Sequence, residues 1–160
     1  MSLRSRINTP GSVCFRNMDF AYSQTLGFLP NEYLRGFNVG FNYTRAYADQ
    51  RRTGLAPHRV SGRVGYAYRR FNGTLGLIWT DDKPESSTYG RYMGEITKLD
   101  LTMTFKLTSY LSLYVQGRNI TNMVDRWYQS PPGTLEGRNG YLRSMEEYGA
   151  NWVFGIKGNF

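Results

Sequence analysis

Few side chains in this chain are suited to covalent chemistry. His58 is the only histidine. It lies three residues before Ser61, a spacing that raises the question of a base and nucleophile pair. Residues three apart on an extended strand point to opposite faces, and a base must lie within hydrogen-bond reach of its nucleophile. His58 follows Pro57 at an expected loop-to-strand boundary, so it reads as a polar rim residue and no enzyme activity is expected. Cys14 is the single cysteine, which excludes an intrachain disulfide and a cysteine-based metal site. It reads as a small buried hydrophobe. Asp81, Asp82 and Glu85, and again Glu146 and Glu147, gather acid without the ordered spacing of a calcium loop. They read as solvated loop charge, and no metal or cofactor is expected.

The chemistry that remains is recognition. Asp125, Arg126, Trp127, Tyr128 and Gln129, followed by Arg138, Asn139 and Tyr141, bring charged, amide and aromatic groups into the longest polar segment, 122–148. Such a mixture suits contact with a small ligand. Anchoring of Trp127 and Tyr128 at an interface explains the aromatics equally well.

The elements that must position these residues are strands. Leu99, Leu101, Met103, Phe105 and Leu107 alternate with Asp100, Thr102, Thr104 and Lys106, the period of a half-buried strand. Leu111, Leu113, Val115 and Gly117 repeat the pattern after Ser109 and Tyr110, which predicts a tight hairpin. The same alternation runs through Asn17–Ser23, more weakly, and through Phe37–Thr44, Arg59–Arg69 and Thr74–Thr80, where Ile78 interrupts the polar face. It closes at Asn151–Phe160. The expectation is an all-β fold, an antiparallel meander of about seven strands with no helix. Short links are expected at Phe71–Gly73 and Ser109–Tyr110, and a moderate one at Gly27–Arg35. Long polar links are expected at Asp49–His58, Asp81–Lys98 and Asn122–Tyr148. Because strands reverse in turn, short links fall at one end and long ones at the other, as in outer-membrane barrels.

Composition agrees with this class. The 160 residues include 13 tyrosines and have 16% aromatics, residue types that suit a pleated surface. No apolar run approaches the roughly 18 residues of a membrane helix. The net charge is +8, but the arginines are spread along the chain rather than clustered as a nucleic-acid footprint requires. A watery lumen or lipopolysaccharide is the expected partner, and nucleic acid is not. Met1–Ser12 carries Arg4 and Arg6 with no apolar stretch behind them, so it is not read as a secretory signal. Residues 1–12 are expected to be a disordered or non-native start, with 13–160 forming the folded unit.

Aromatics gather near strand ends and loops at Tyr43, Tyr47, Tyr66, Tyr68, Trp79, Tyr110, Trp127, Tyr128, Tyr148 and Trp152. Membrane barrels carry such girdles at both interfaces. Asp100, Lys106, Arg63 and Arg118 occupy the polar face in strand centres, which suits a wet interior. The closing strand presents Trp152, Phe154, Ile156 and Phe160 on one face. This resembles the signal read by the barrel assembly machinery, although Gly158 stands where that signal carries a hydrophobic residue.

Leu113-Tyr-Val-Gln-Gly-Arg-Asn-Ile-Thr-Asn122 resembles the penultimate strand and turn of TonB-dependent receptors. Phe41–Asp49, Ala56–Val60 and Tyr148–Phe160 are similar to further segments of that family, in the same order, so the resemblance runs from about Met18 to Phe160. It implies the C-terminal part of a plugged barrel of the 22-stranded type in the outer membrane of a Gram-negative bacterium. Such a receptor imports siderophore-iron, cobalamin, nickel complexes or carbohydrate. The plug that contacts TonB has no counterpart in these residues, so the chain alone is expected to transport nothing. A small self-contained barrel with a passive or structural role is the alternative; it would need an even number of strands.

Overall fold

The computed structural model describes residues 14–48, 53–85, 90–130 and 140–158. Arg138, Asn139 and Phe160, singled out above, lie outside them, as does the 1–12 start. The chain forms β1 (Phe15–Thr25), a one-turn α1 (Glu32–Arg35), β2 (Phe37–Ala48), β3 (His58–Tyr68), β4 (Phe71–Thr80), β5 (Lys83–Pro84) and β6 (Arg91–Met93). It continues with β7 (Ile96–Lys106), β8 (Leu111–Arg118), β9 (Asp125–Gln129), β10 (Tyr141–Glu146) and β11 (Asn151–Gly158). The seven long strands form one antiparallel sheet in the order β1-β2-β3-β4-β7-β8-β11. The sheet is open, with β1 and β11 as its edges.

Register turns the alternation of each strand into two continuous faces. Gln24, Val39, Val64, Leu75, Leu101, Gly117 and Trp152 stand opposite one another in a single row across all seven strands. Neighbouring rows on this face hold Phe20, Phe41, Leu77, Met103, Val115 and Phe154. The opposite face holds Ser23, Gly40, Arg63, Gly76 and Asp100 in one row. Side-chain period and backbone pairing therefore agree at every strand. The row also slides along the strands: it starts one residue from the end of β1 and finishes one residue from the beginning of β11. The strands are therefore staggered relative to one another across the sheet.

No described residue covers the apolar face. Among the described residues no apolar side chain is buried, and even in central strands Val64 is 44% and Leu75 41% exposed. The polar face bears a hollow of about 650 Å³ whose walls include Ala21, Asn38, Gly40, Ser61, Arg63 and Asp100.

Several sequence expectations need correction. Phe71–Gly73 is not a link: these residues pair with Phe105, Thr104 and Met103 inside β4. The reversal is Arg69–Arg70, with Arg69 at φ 50°. A helix is present, though only one turn long, started by the Asn31 side chain accepting from the Tyr33 N–H. The two longest links are not simple loops. They contain β5, β6, β9 and β10, which build a second, four-stranded antiparallel sheet in the order β10-β9-β6-β5. Cys14 is exposed rather than buried.

Candidate functional site

The second sheet stands at the long-link end of the large one. Its attachment begins at the Asn119–Asn122 turn. Both asparagines adopt φ near 50°, a left-handed conformation that asparagine tolerates better than most residues. The Asn119 N–H donates to Asp100 Oδ1 at 2.9 Å, and its side-chain oxygen accepts from the Met123 N–H at 2.9 Å. Its amide donates to the carbonyls of Met123 and Gly149. Asn122 Nδ2 donates to Glu147 Oε1 at 2.7 Å. One turn thus fastens the end of β8 to β7 and to the approach to β11.

β9 leaves this turn with Asp125 almost fully buried, at 7% exposure. Lys98 Nζ lies 3.2 Å from its Oδ1 and 3.5 Å from its Oδ2. Lys98 belongs to the polar face of β7, opposite Ile78, so this ion pair ties the second sheet to the large one. The Gly94 N–H donates to the Arg126 carbonyl at 2.8 Å, and the Ser130 N–H to the Gly90 carbonyl at 2.7 Å.

The expected ligand-contacting residues do not form one surface. Alternation along β9 puts Asp125 and Trp127 on one face and Arg126 and Tyr128 on the other. Tyr141 pairs with Gln129 and Leu142 with Tyr128, which places Tyr141 with the Asp125 and Trp127 set. Arg126 and Tyr128 instead line a cleft of about 530 Å³ with His58, Trp79, Asp81 and Tyr92. In β3 and β4, His58 and Trp79 share the face of Val60 and Leu77. The cleft therefore continues the apolar face, while the Asp125 set follows the side of Lys98.

His58 is held within that cleft. Its Nδ1 lies 2.8 Å from the Tyr43 hydroxyl, and the two rings stack with centroids 6.0 Å apart. Ser61 lies on the opposite face, within 3.5 Å of the Asn42 amide. The arrangement offers aromatic surface, a guanidinium and carboxylates for non-covalent binding. Among the described residues no cluster of metal-ligating side chains occurs. Tyr148, beside this region, donates its hydroxyl to Glu146 Oε2, and this bond to a carboxylate holds the phenol above its ordinary pKa.

Sequence reasoning did not single out Trp79 or Tyr92 as cleft residues, or Lys98 as the anchor. A signal existed for Lys98, a cation on the polar side of the clearest alternating run. None existed for Tyr92, which sits in a strand of three residues. On the closing strand, Trp152, Phe154 and Ile156 share the apolar face and are 45%, 70% and 67% exposed. No family model, curated protein or solved structure matches the chain.

Proposed function

We propose that this chain is a section of the wall of an outer-membrane β-barrel, the C-terminal barrel portion of a TonB-dependent receptor. In its complete form the receptor would import a scarce nutrient such as siderophore-iron, cobalamin or carbohydrate. The observation that carries the reading is the exposed apolar face, unbroken across seven strands. In water, so large an apolar patch has no counterpart on ordinary soluble monomers; against lipid it is the expected outer surface of a barrel.

Dimensions and edges support the reading. From Phe71 to Trp79 the face of β4 runs about 27 Å along the strand, or about 21 Å across a membrane at a tilt of about 40°. At the short-link end Tyr33, Phe37, Tyr66, Tyr68 and Phe71 form a chain of ring contacts, with Phe37 and Tyr66 at 4.4 Å. Tyr43, Tyr47, Trp79 and Trp152 lie toward the other end, so both interfaces have aromatics. Edge strands cannot face lipid unpaired. β1 and β11 run in the same direction, so pairing them with each other would be parallel. An antiparallel closure needs an odd number of further strands between them, which favours a larger barrel over a self-contained one. The family assignment rests on the Leu113–Asn122 resemblance, whose asparagines carry the turn described above.

The same-frame DNA flanking the coding sequence tests this proposal. The expected result is an adjoining frame that encodes a plug and an odd number of further amphipathic strands. Flanking DNA with stop codons and no such strands would overturn it.

A further inference from the structure

We infer that the cleft between the two sheets is a binding site for an alkyl diammonium ion. The inference uses only the placement of the second sheet on the large one and is independent of the membrane reading. The large sheet supplies one wall through His58 at the start of β3, Trp79 near the end of β4, and Asp81 just beyond it. The second sheet supplies another through Tyr92 and Tyr128, which stand opposite each other in register on β6 and β9. Glu95 lines the cleft from the connection between β6 and β7. Because His58 and Trp79 belong to the face of Val60 and Leu77, the cleft lies off any path that follows the polar face.

Its rings are fixed by their own surroundings. The His58 ring is held by the Tyr43 hydroxyl at 2.8 Å and by stacking on that ring. Tyr128 lies against Gly94, where a Cβ would come within 2.8 Å of the phenol ring. Rings placed in advance lose little freedom when a ligand enters. Charge then selects the ligand. Asp81, Asp82 and Glu95 line the cleft with one cation, Arg126. Three carboxylates against one guanidinium leave a surplus of two negative charges, which a diammonium ion balances and an anion would meet as repulsion. Among the described residues Arg126 has no ion-pair partner. Arg126 and Glu95 are exposed, whereas Asp81 is buried and Asp82 half-buried, so acid is available at both depths. Ammonium groups donate charge-assisted hydrogen bonds to carboxylates. The methylenes between them pack on aromatic faces, which also attract cations. The volume of about 530 Å³ is in the range of small-ligand sites.

The test uses the complete protein, in which β1 and β11 are paired, held in detergent micelles. Calorimetric titration compares pentane-1,5-diamine with pentane-1,5-diol, its neutral counterpart. The expected result is saturable binding of the diamine alone, weakened by added salt. Asp82→Asn should weaken it about fivefold, the order of one partly exposed ion pair. Tyr128→Leu should weaken it about threefold, whereas Tyr128→Phe keeps the ring face and should leave it unchanged. Arg126→Gln should bind the diamine more tightly, because a like charge has gone. Far-ultraviolet circular dichroism checks that each variant is folded; if Asp82→Asn is not, Glu95→Gln takes its place with a smaller expected weakening. No binding of the diamine, equal binding of the diol, unchanged binding by the variant lacking the acid, or weaker binding by Arg126→Gln would each overturn the site. The membrane reading fails separately, if the complete protein stays monomeric in water without detergent, and the same titration then reads the cleft there.

Discussion

Asp125 carries a carboxylate into a nearly closed environment, and Lys98 is its counter-charge. Removing one member of such a pair strands the other, at a greater cost than the pair itself contributes. Lys98 is 36% exposed at its side chain, so water moderates the effect. Lys98→Ala should destabilise the second sheet by about 2 kcal/mol, below the range for fully buried pairs. Hydrogen exchange should show faster exchange at β9 and β10 amides with β3 and β4 unaffected. Lys98→Ala/Asp125→Ala should recover part of the loss; exchange unchanged in the single variant would show that the pair does not anchor the sheet.

Tyr148 gives a residue-scale prediction about pH. Its pKa is raised by donation to Glu146, so the protonated phenol is favoured in the folded chain. For a raised pKa, the stabilisation is fully present below the unfolded value of 10.0 and is lost as pH rises through the folded value. Loosening of the segment between β10 and β11 should therefore begin only in strongly alkaline solution. Carbon-labelled tyrosine NMR, assigned through Tyr148→Phe, should show this ring titrating later than exposed tyrosines. Titration together with them would refute the assignment.

At the scale of elements, the β8–β11 ladder interlocks through two glycine and aromatic pairs on opposite faces. Trp152 lies over Gly117, and Tyr114 over Gly155, each pair directly opposite in register. A Cβ on Gly117 would come within 2.6 Å of Ile120 and 2.7 Å of Trp152. Gly117→Ala should displace the indole and cost about 1–3 kcal/mol, the usual range for overpacking. Trp152 fluorescence in a Trp79→Phe/Trp127→Phe background should shift, and β11 should exchange faster. An unchanged spectrum would mean that the ring does not depend on the glycine.

The seven long strands were legible because their alternation persists for eight or more residues, long enough to separate a strand from a helix. The second sheet was not. β5 and β6 have only two and three residues, too short for a period to emerge. β10 has a register shift between Leu142 and Ser144, and such a bulge breaks the alternation that identifies a strand. The ligand-contacting residues were located along the chain but not in space. With 125–129 read as loop, Asp125 to Tyr128 looked like one surface; as β9, the same residues necessarily divide between two faces.

The molecule as a whole is defined by a face that none of its described residues covers. In a soluble protein, the Leu75 position would gain from a charge that reduces sticky surface. In lipid, the same charge is costly by an amount that depends on depth, about 2–4 kcal/mol for arginine near the bilayer midplane. Leu75 lies in the row that crosses all seven strands, and Thr74 beside it faces the polar side with Gly65 and Thr102. In the complete barrel, where β1 and β11 are paired, Leu75→Arg should therefore reduce the folded fraction in phosphatidylcholine vesicles by that order, whereas Thr74→Arg should change it little. The contrast cancels effects of net charge and of arginine's strand propensity, since both variants add one arginine to neighbouring positions of β4. Equal costs at the two positions, or better solubility of Leu75→Arg without lipid at no cost to folding, would mean that the apolar face is covered by something other than a bilayer.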